Sequence, residues 1–223
     1  MAFAAGVMVA AAVWSLLVPS ANASQNLGAW AFAPPLAGFW LGVLFLFAID
    51  GITPHLHLGG NISEGPKVAL SRSIKIALAV TIHNIPEGMA IGVVFAGWLA
   101  NSSFAPVSLS AAIAVSLGIA IQNLPEGAIV SLPLRAEGAS RKKAFLFGLV
   151  SAMAEVLAAV TMLLLSQLML PALPWLLAFA AGAMIYVVVE ELLPEASAGA
   201  HFDGATLLFA AGFSLMMTLD TIL

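Results

Sequence analysis

Residues 74–98 read IKIALAVTIHNIPEGMAIGVVFAGW, and this stretch decides the fold class. A helix of about 20 apolar residues crosses the roughly 30 Å of hydrocarbon in a bilayer, and this stretch is long enough to do so. Over the whole chain, 62% of the residues are hydrophobic and 8% are charged, whereas soluble domains carry about 25% charged residues. A soluble core could not bury so much apolar side chain. The sequence therefore predicts an all-α integral membrane protein.

The rest of the chain contains further apolar runs separated by proline-rich and glycine-rich breaks, such as those at Pro19, Pro133 and Pro194. Together they predict seven transmembrane helices, at roughly Phe3–Val18, Leu36–Asp50, Ile74–Trp98, Val107–Leu132, Ala144–Leu170, Trp175–Leu193 and Ala205–Leu223. We expect residues 1–223 to form a single transmembrane domain, a polytopic helical bundle. A cleavable signal peptide is the alternative interpretation of the first run, but no basic residue precedes its apolar part.

The basic residues predict the orientation of the bundle. All seven lie in two connections, between the second and third helices and between the fourth and fifth: Lys67, Arg72, Lys75, Arg135, Arg141, Lys142 and Lys143. These connections emerge on the same side, which the positive-inside rule makes cytoplasmic. We therefore expect a multi-pass protein of the plasma or inner membrane, with its amino terminus cytoplasmic and Leu223 outside.

The sequence also contains a broken internal repeat. The matching segments are Phe3–Met8 with Phe179–Met184 at an offset of 176, Gly38-Phe39 and Asp50 with Gly212-Phe213 and Asp220, and His83–Gly88 with Gln122–Gly127. Each copy crosses the membrane in the direction opposite to its mate, as in the inverted repeats of transporters. The fifth helix has no mate, so we expect one further helix before Met1; a natural seven-helix form is the alternative.

Three acidic residues, Glu87, Glu126 and Glu155, are predicted to lie deep in the membrane. Glu87 and Glu155 each follow a lysine by 12 residues, which is about 18 Å along a helix. Glu126 precedes Arg135 by nine residues, or about 13 Å. A charged side chain at the centre of a membrane helix costs about 2.5–3.5 kcal/mol on insertion scales. Since no lysine or arginine is expected at that depth, a bound cation is the natural neutralising partner.

The side chains around these acids predict which cation binds. His83 and Glu87 are four residues apart and share a helix face, and Gln122, Asn123 and Glu126 repeat the arrangement of the first motif. One imidazole with several carboxylates suits a divalent ion such as Zn²⁺. Because the ligands are spread over separate helices and include amides, the pattern favours a site that releases its ion. A kinked helix with a protonated glutamic acid is the alternative for either motif alone.

The His83–Gly88 motif and its companion at Gln122–Gly127 resemble those of the ZIP (Zrt/Irt-like) family of metal transporters, and most of all its GufA-like branch. The family has eight helices, so the resemblance implies that this chain starts at the second. It also implies a binuclear site at mid-membrane, a homodimer and transport towards the cytoplasm. By position, one metal would use His83, Glu87, Gln122, Glu126 and Met8, and the other Asn84, Glu87, Asn123, Glu126 and Glu155.

Two residues depart from the pattern of some ZIP relatives. Asn123 replaces an aspartate, so we expect the second metal position to bind more weakly than the first. Glu190 replaces a histidine. With Asp50 and Glu191 it is predicted to lie near the inner mouth, where carboxylates could draw the ion out; solvated helix ends are the alternative.

We interpret the chain as an importer of divalent metal ions that works by alternating access. Zn²⁺ is the expected substrate, although the sequence does not separate it from Cd²⁺, Fe²⁺ or Mn²⁺. The expected partners are the ion and the lipid bilayer, with no nucleic acid. An intramembrane zinc metallohydrolase is the main alternative, and it would need more histidines than the one predicted inside the membrane. A proton-coupled carrier of an organic solute is the other. His55 and His57 are interpreted as solvated, with weak metal capture as their alternative role.

Overall fold

The computed structural model describes residues 1–53, 72–100, 107–165, 170–197 and 202–222. These residues form seven long helices: α1 (Ala2–Ala23), α2 (Ala33–Ile52), α3 (Arg72–Ala100), α4 (Leu109–Ala136), α5 (Arg141–Leu164), α6 (Leu173–Leu192, continued by Leu193–Ser197) and α7 (Phe202–Ile222). Each helix is long and apolar enough to cross a membrane, and no described residue lies in a strand. The prediction of a seven-helix membrane protein is confirmed. The positions predicted for His55, His57 and Lys67 lie outside the described residues.

Several predicted helix ends are wrong, mostly at prolines. The helices continue through Pro19, Pro133 and Pro194 instead of breaking there. A membrane helix tolerates the lost backbone donor of a proline when nearby groups or a local change of winding compensate for it. The fifth helix differs in the other direction, because it ends at Leu164, whereas Leu170 belongs to a separate short turn, Leu170–Ala172.

Two of the helices contain a wider π-helical segment, at Ala11–Leu17 in α1 and Val188–Leu192 in α6. The repeat offset of 176 carries the first segment onto residues 187–193, so the two occupy equivalent places. A proline follows each segment and leaves the carbonyl four residues earlier without its α-helical donor. A π turn bonds each N–H to the carbonyl five residues back, and it therefore accommodates this loss.

The helices pack as two groups. In the first, α1 packs along α7 and α2 packs along α6; in the second, α3 packs along α5, with α4 beside both. Contacts between α3 and α6 and between α1 and α4 connect the groups. We call them the outer pair group (α1, α2, α6 and α7) and the motif group (α3, α4 and α5), because the second carries both Asn-x-Pro-Glu-Gly elements.

Close approaches at glycine hold the outer pair group together. Four Phe-x-x-Gly elements take part, at Phe3–Gly6, Phe39–Gly42, Phe179–Gly182 and Phe209–Gly212. A Cβ atom at Gly6 would overlap the carbonyl oxygen of Phe209, and one at Gly212 would overlap that of Phe3. The other two elements form the same reciprocal contact between α2 and α6. These contacts align Phe39–Gly42 with Phe209–Gly212, four residues from the register that was predicted with Gly38-Phe39 and Gly212-Phe213.

The end of the bundle at which α4 turns into α5 carries Arg135, Arg141, Lys142 and Lys143, and we call it the basic end. Gly138 closes α4 with a φ of 93°, a conformation that favours glycine. The Ser140 hydroxyl then caps α5 by accepting from the Lys143 N–H at 3.3 Å. The Glu137 carboxylate accepts from the Ser73 N–H at 3.3 Å, which ties this turn to the start of α3.

Candidate metal site

Helix α3 supplies three polar side chains to the interior of the bundle. His83, Asn84 and Glu87 are 6%, 4% and 0% exposed. Pro86 lies inside the helix without ending it. Most buried side chains of the bundle are apolar, and these three are among the buried polar ones that could carry its chemistry.

His83 faces α6 across the boundary between the two helix groups. Its Nδ1 atom lies 3.0 Å from Oε2 of Glu191, and both side chains are buried. Glu191 belongs to the π-helical segment of α6. The contact therefore joins an acid of the outer pair group to the histidine of the motif group.

Asn123 and Glu155 form a second contact, between α4 and α5. The Asn123 amide nitrogen donates to the Glu155 carboxylate at 2.5 Å, and Glu155 is 9% exposed. Because a carboxylate accepts only, this bond fixes the Asn123 amide with its oxygen pointing away from Glu155.

Gly88 explains why α5 lies close enough to contribute Glu155. A Cβ atom at this position would overlap the carbonyl oxygen of Glu155, so the two backbones meet directly. One turn further along, Gly92 lies in the same way against Ala159. The glycine that ends the first motif therefore sets the distance between α3 and α5 at the depth of the acids.

Two small cavities meet at Glu126. One, of about 20 Å³, is bordered by His83, Glu126 and Glu191. The other, of about 30 Å³, is bordered by Asn84, Asn123 and Glu126 together with Gly127, Gly148 and Ser151. Each exceeds the roughly 10–15 Å³ that one water molecule needs, and is thus large enough for a single ion.

Three residues that border the larger cavity each carry a buried oxygen atom without a hydrogen-bond donor. Within the described residues, Oδ1 of Asn84, Oδ1 of Asn123 and Oε2 of Glu126 are buried and accept no hydrogen bond. Both amides are oriented by bonds from their nitrogen atoms, that of Asn84 going to the carbonyl oxygen of Ser151 at 3.1 Å. Buried oxygens without partners are costly, and a cation among them would remove that cost.

His83, Glu126 and Glu191 border the same small cavity, but they are not close enough together to hold one metal ion among them. In the part of the chain that the structure describes, no three acidic or histidine side chains are close enough together to hold a metal ion. The smaller cavity is bordered by two carboxylates and one imidazole, and the larger one by a carboxylate and two amides.

Similarity to known proteins shows to which family the chain belongs. The model of the family described as ZIP Zinc transporter matches residues 60–220, which is more than half of the chain. The chain belongs to the ZIP family. Zinc transporter ZIP11 of Homo sapiens is 34% identical to it, with 98% of this chain and 86% of that protein aligned. Zinc transporter ZIPB of Bordetella bronchiseptica is 39% identical (99% and 70% aligned), and Zinc transporter GufA of Myxococcus xanthus is 37% identical (82% and 69% aligned).

These matches confirm the predicted ZIP family, including the similarity to GufA. They also confirm a transporter of divalent metal ions in place of an enzyme, and a multi-pass membrane protein. The metallohydrolase alternative is thereby set aside.

The predicted ZIP site residues are distributed as follows. His83 and Glu126 border the smaller cavity, Asn84, Asn123 and Glu126 border the larger one, and Glu155 contacts Asn123. Glu87 is fully buried and borders neither of the two cavities. Met8 of α1 is 1% exposed within the apolar core. The side chain of Gln122 lies outside the described residues.

The residues predicted for the inner mouth differ in exposure. Glu190 is exposed on α6, whereas Asp50 and Glu191 are buried and the charges of both act on His83. Glu191 borders the smaller cavity with His83.

The sequence analysis missed Ser151 and Thr81, whose side chains lie 2.8 Å apart between α5 and α3. Their spacing offered a signal. Ser151 is four residues before Glu155 and Thr81 is three before Asn84, so each shares a helix face with a predicted ligand.

Proposed function

We propose that this ZIP protein carries Zn²⁺ towards the cytoplasm through two adjacent mid-membrane positions that share Glu87 and Glu126. The observation that carries the proposal is the meeting of two ion-sized cavities at the buried Glu126 carboxylate. The three relatives named above are zinc transporters by name, which supports Zn²⁺ as the substrate.

The first position lies on the His83 side of Glu126. Its proposed ligands are His83, Glu87, Gln122, Glu126 and the thioether of Met8. An imidazole nitrogen and a sulfur beside carboxylates suit a borderline ion such as Zn²⁺. The 3.0 Å contact between Glu191 and His83 supports a further carboxylate at this position.

The second position lies on the amide side of Glu126. Its proposed ligands are Asn84, Glu87, Asn123, Glu126 and Glu155, all of which bind through oxygen. With an amide at Asn123 this position carries one negative charge fewer than it would with aspartate. We therefore propose that it binds Zn²⁺ more weakly than the first and passes the ion on.

The division into two helix groups supports alternating access. The His83–Glu191 contact links α3 to α6, and so it must break whenever the two groups move past each other. By the positive-inside rule the basic end faces the cytoplasm, which places the amino terminus inside and the end of α7 outside. The resemblance to ZIP proteins also implies a homodimer, which cross-linking in liposomes would test.

Zinc uptake into proteoliposomes tests the proposal. We expect His83→Ala and Glu126→Ala to lower the initial rate at least about tenfold, since either change removes a buried ligand whose loss exceeds about 1.4 kcal/mol. Asp203→Ala is the matched control, because Asp203 is exposed at the start of α7. Competition by Cd²⁺, Fe²⁺ and Mn²⁺ in the same assay reports selectivity. Wild-type rates in both site variants would overturn the proposal.

A further inference from the structure

We infer that Ser151 and Thr81 are positioning residues for the second metal position: their hydroxyl contact sets where the side-chain oxygen of Asn84 lies. The inference rests on the proposed function, because it concerns one of the two proposed Zn²⁺ positions. Neither residue belongs to the predicted ligand set.

The first observation is the direction in which the Ser151 hydroxyl bonds. Serine and threonine in a helix commonly donate to the carbonyl four residues earlier. In this chain that pattern holds at Ser116, Ser131, Thr161, Thr218 and Thr221. The Ser151 oxygen instead lies 2.8 Å from the hydroxyl oxygen of Thr81 on the neighbouring helix.

The number of hydroxyl protons shows which residue is the donor in this contact. The Thr81 hydroxyl donates to the carbonyl oxygen of Ala77 at 2.6 Å. A hydroxyl has one proton, so Thr81 can only accept from Ser151. The single proton of Ser151 is thus committed to α3, and the two helices are joined at this level.

The second observation is that Asn84 also bonds to Ser151. The Asn84 amide donates to the backbone carbonyl of Ser151 at 3.1 Å. Asn84 borders the larger cavity, and its Oδ1 atom is buried and accepts no hydrogen bond from the described residues. Ser151 of α5 therefore bonds both to the Thr81 hydroxyl and to Asn84, a proposed ligand, on α3.

These two bonds act together on the ligand. The Ser151 carbonyl decides which way the Asn84 amide faces, and the Thr81 contact fixes that carbonyl relative to α3. Without the contact to Thr81, the Ser151 hydroxyl would donate to a backbone carbonyl of its own helix, α5. The backbone carbonyl of Ser151 would then be free to shift relative to α3. The Asn84 amide would then lose its fixed orientation at the cavity that Asn123 and Glu126 also border.

Zinc titration of the purified full chain in lipid nanodiscs tests this inference, with bound Zn²⁺ counted per chain by equilibrium dialysis. We expect the wild type to bind two Zn²⁺ with different affinities. Ser151→Ala and Thr81→Val should each weaken the second Zn²⁺ by about three- to fifteenfold, the range for one interhelical hydrogen bond in a membrane. The first affinity should stay within about twofold in both.

Two further variants separate positioning from general damage. Ser151→Thr keeps the hydroxyl and should restore the second affinity, while Ser116→Ala removes a hydroxyl bonded within α4 and should match the wild type. Combining Ser151→Ala with Thr81→Val should add little to either change alone. Thr81 does not border the cavity, so Thr81→Val removes no atom from the cavity wall.

Three outcomes would overturn the inference: an unchanged second affinity in Ser151→Ala and Thr81→Val, equal weakening of both Zn²⁺ ions, or binding of a single Zn²⁺ by the wild type. Proteoliposome uptake distinguishes these outcomes from failure of the proposed function. A wild type that takes up Zn²⁺ but binds one ion contradicts the second position alone, whereas a wild type without uptake contradicts transport itself.

Discussion

At the scale of single residues, Gly88 and Gly127 hold the same position in the two Asn-x-Pro-Glu-Gly elements but have different surroundings. A Cβ atom at Gly88 would overlap the Glu155 backbone, whereas one at Gly127 would meet nothing within 4 Å. An added methyl group at position 88 must therefore push α5 away from α3. That movement would carry Glu155 away from the proposed second metal position.

We expect Gly88→Ala to destabilise the protein and Gly127→Ala to leave its stability close to that of the wild type. Overpacking of this kind costs about 1–3 kcal/mol, so the thermal unfolding temperature in detergent should fall clearly for the first variant only. Zinc uptake by Gly88→Ala should fall with it. Equal unfolding temperatures for the two variants would show that the two glycines have equivalent roles.

The deep polar residues could be predicted from the sequence because ionisable groups in an apolar helix demand a partner. His83 and Glu126 are examples, and the structure buries both beside a cavity. The difference between Glu190 and Glu191 could not be predicted. These neighbours lie in a π-helical segment, and a π turn changes which side chain faces inward without a signature in the apolar pattern.

At the scale of helices, the apolar runs predicted each membrane span, because a bilayer of fixed thickness requires a minimum apolar length. The ends were less predictable, since Pro19, Pro133 and Pro194 lie inside helices. The sequence shows that a donor is missing at a proline. It does not show whether the chain then turns away or continues with wider winding.

Pro194 gives a prediction at this scale. Replacing it with alanine restores an N–H that can reach the carbonyl of Glu190, which favours α-helical winding over the π segment. An α turn contains fewer residues than a π turn, so this change of winding would rotate Glu191 away from His83. We expect Pro194→Ala to lower the rate of zinc uptake at least about fivefold, equivalent to about 1 kcal/mol.

Pro133→Ala is the control for this change, because Pro133 lies in an α-helical part of α4 near the same end of the bundle. Its uptake should be close to that of the wild type. If Pro194→Ala also transports normally, the π segment is not needed for the contact between Glu191 and His83 to function.

At the scale of the whole molecule, the sequence predicted the repeat, but it misplaced one part of the register. The offset of 176 was visible because Phe3–Met8 and Phe179–Met184 are nearly the same sequence. The α2 and α7 segments are less alike, and only the reciprocal glycine contacts align Phe39–Gly42 with Phe209–Gly212. Packing between distant helices fixed a correspondence that local similarity left ambiguous.

The orientation in the membrane is a prediction for the whole molecule, and the absence of cysteine makes it simple to test. We expect a cysteine introduced by Ser140→Cys, in the exposed turn at the basic end, to face the cytoplasm. One introduced by Gln25→Cys, exposed at the opposite end, should face outside. An impermeant maleimide applied to intact cells should label the second variant and label the first only after permeabilisation. The reverse pattern would mean that the protein is inverted.

The pairing of α1 with α7 also constrains how the chain assembles during synthesis. The Ser15 hydroxyl donates to Asp220 at 2.7 Å across 205 residues of sequence. At about 5–20 residues per second, α1 would wait about 10–40 s in the bilayer for its partner to be made. Helices α3, α4 and α5 are neighbours in the sequence and can associate meanwhile. Ribosome stalling before α7 should therefore leave a native-like motif group beside an unpartnered first helix.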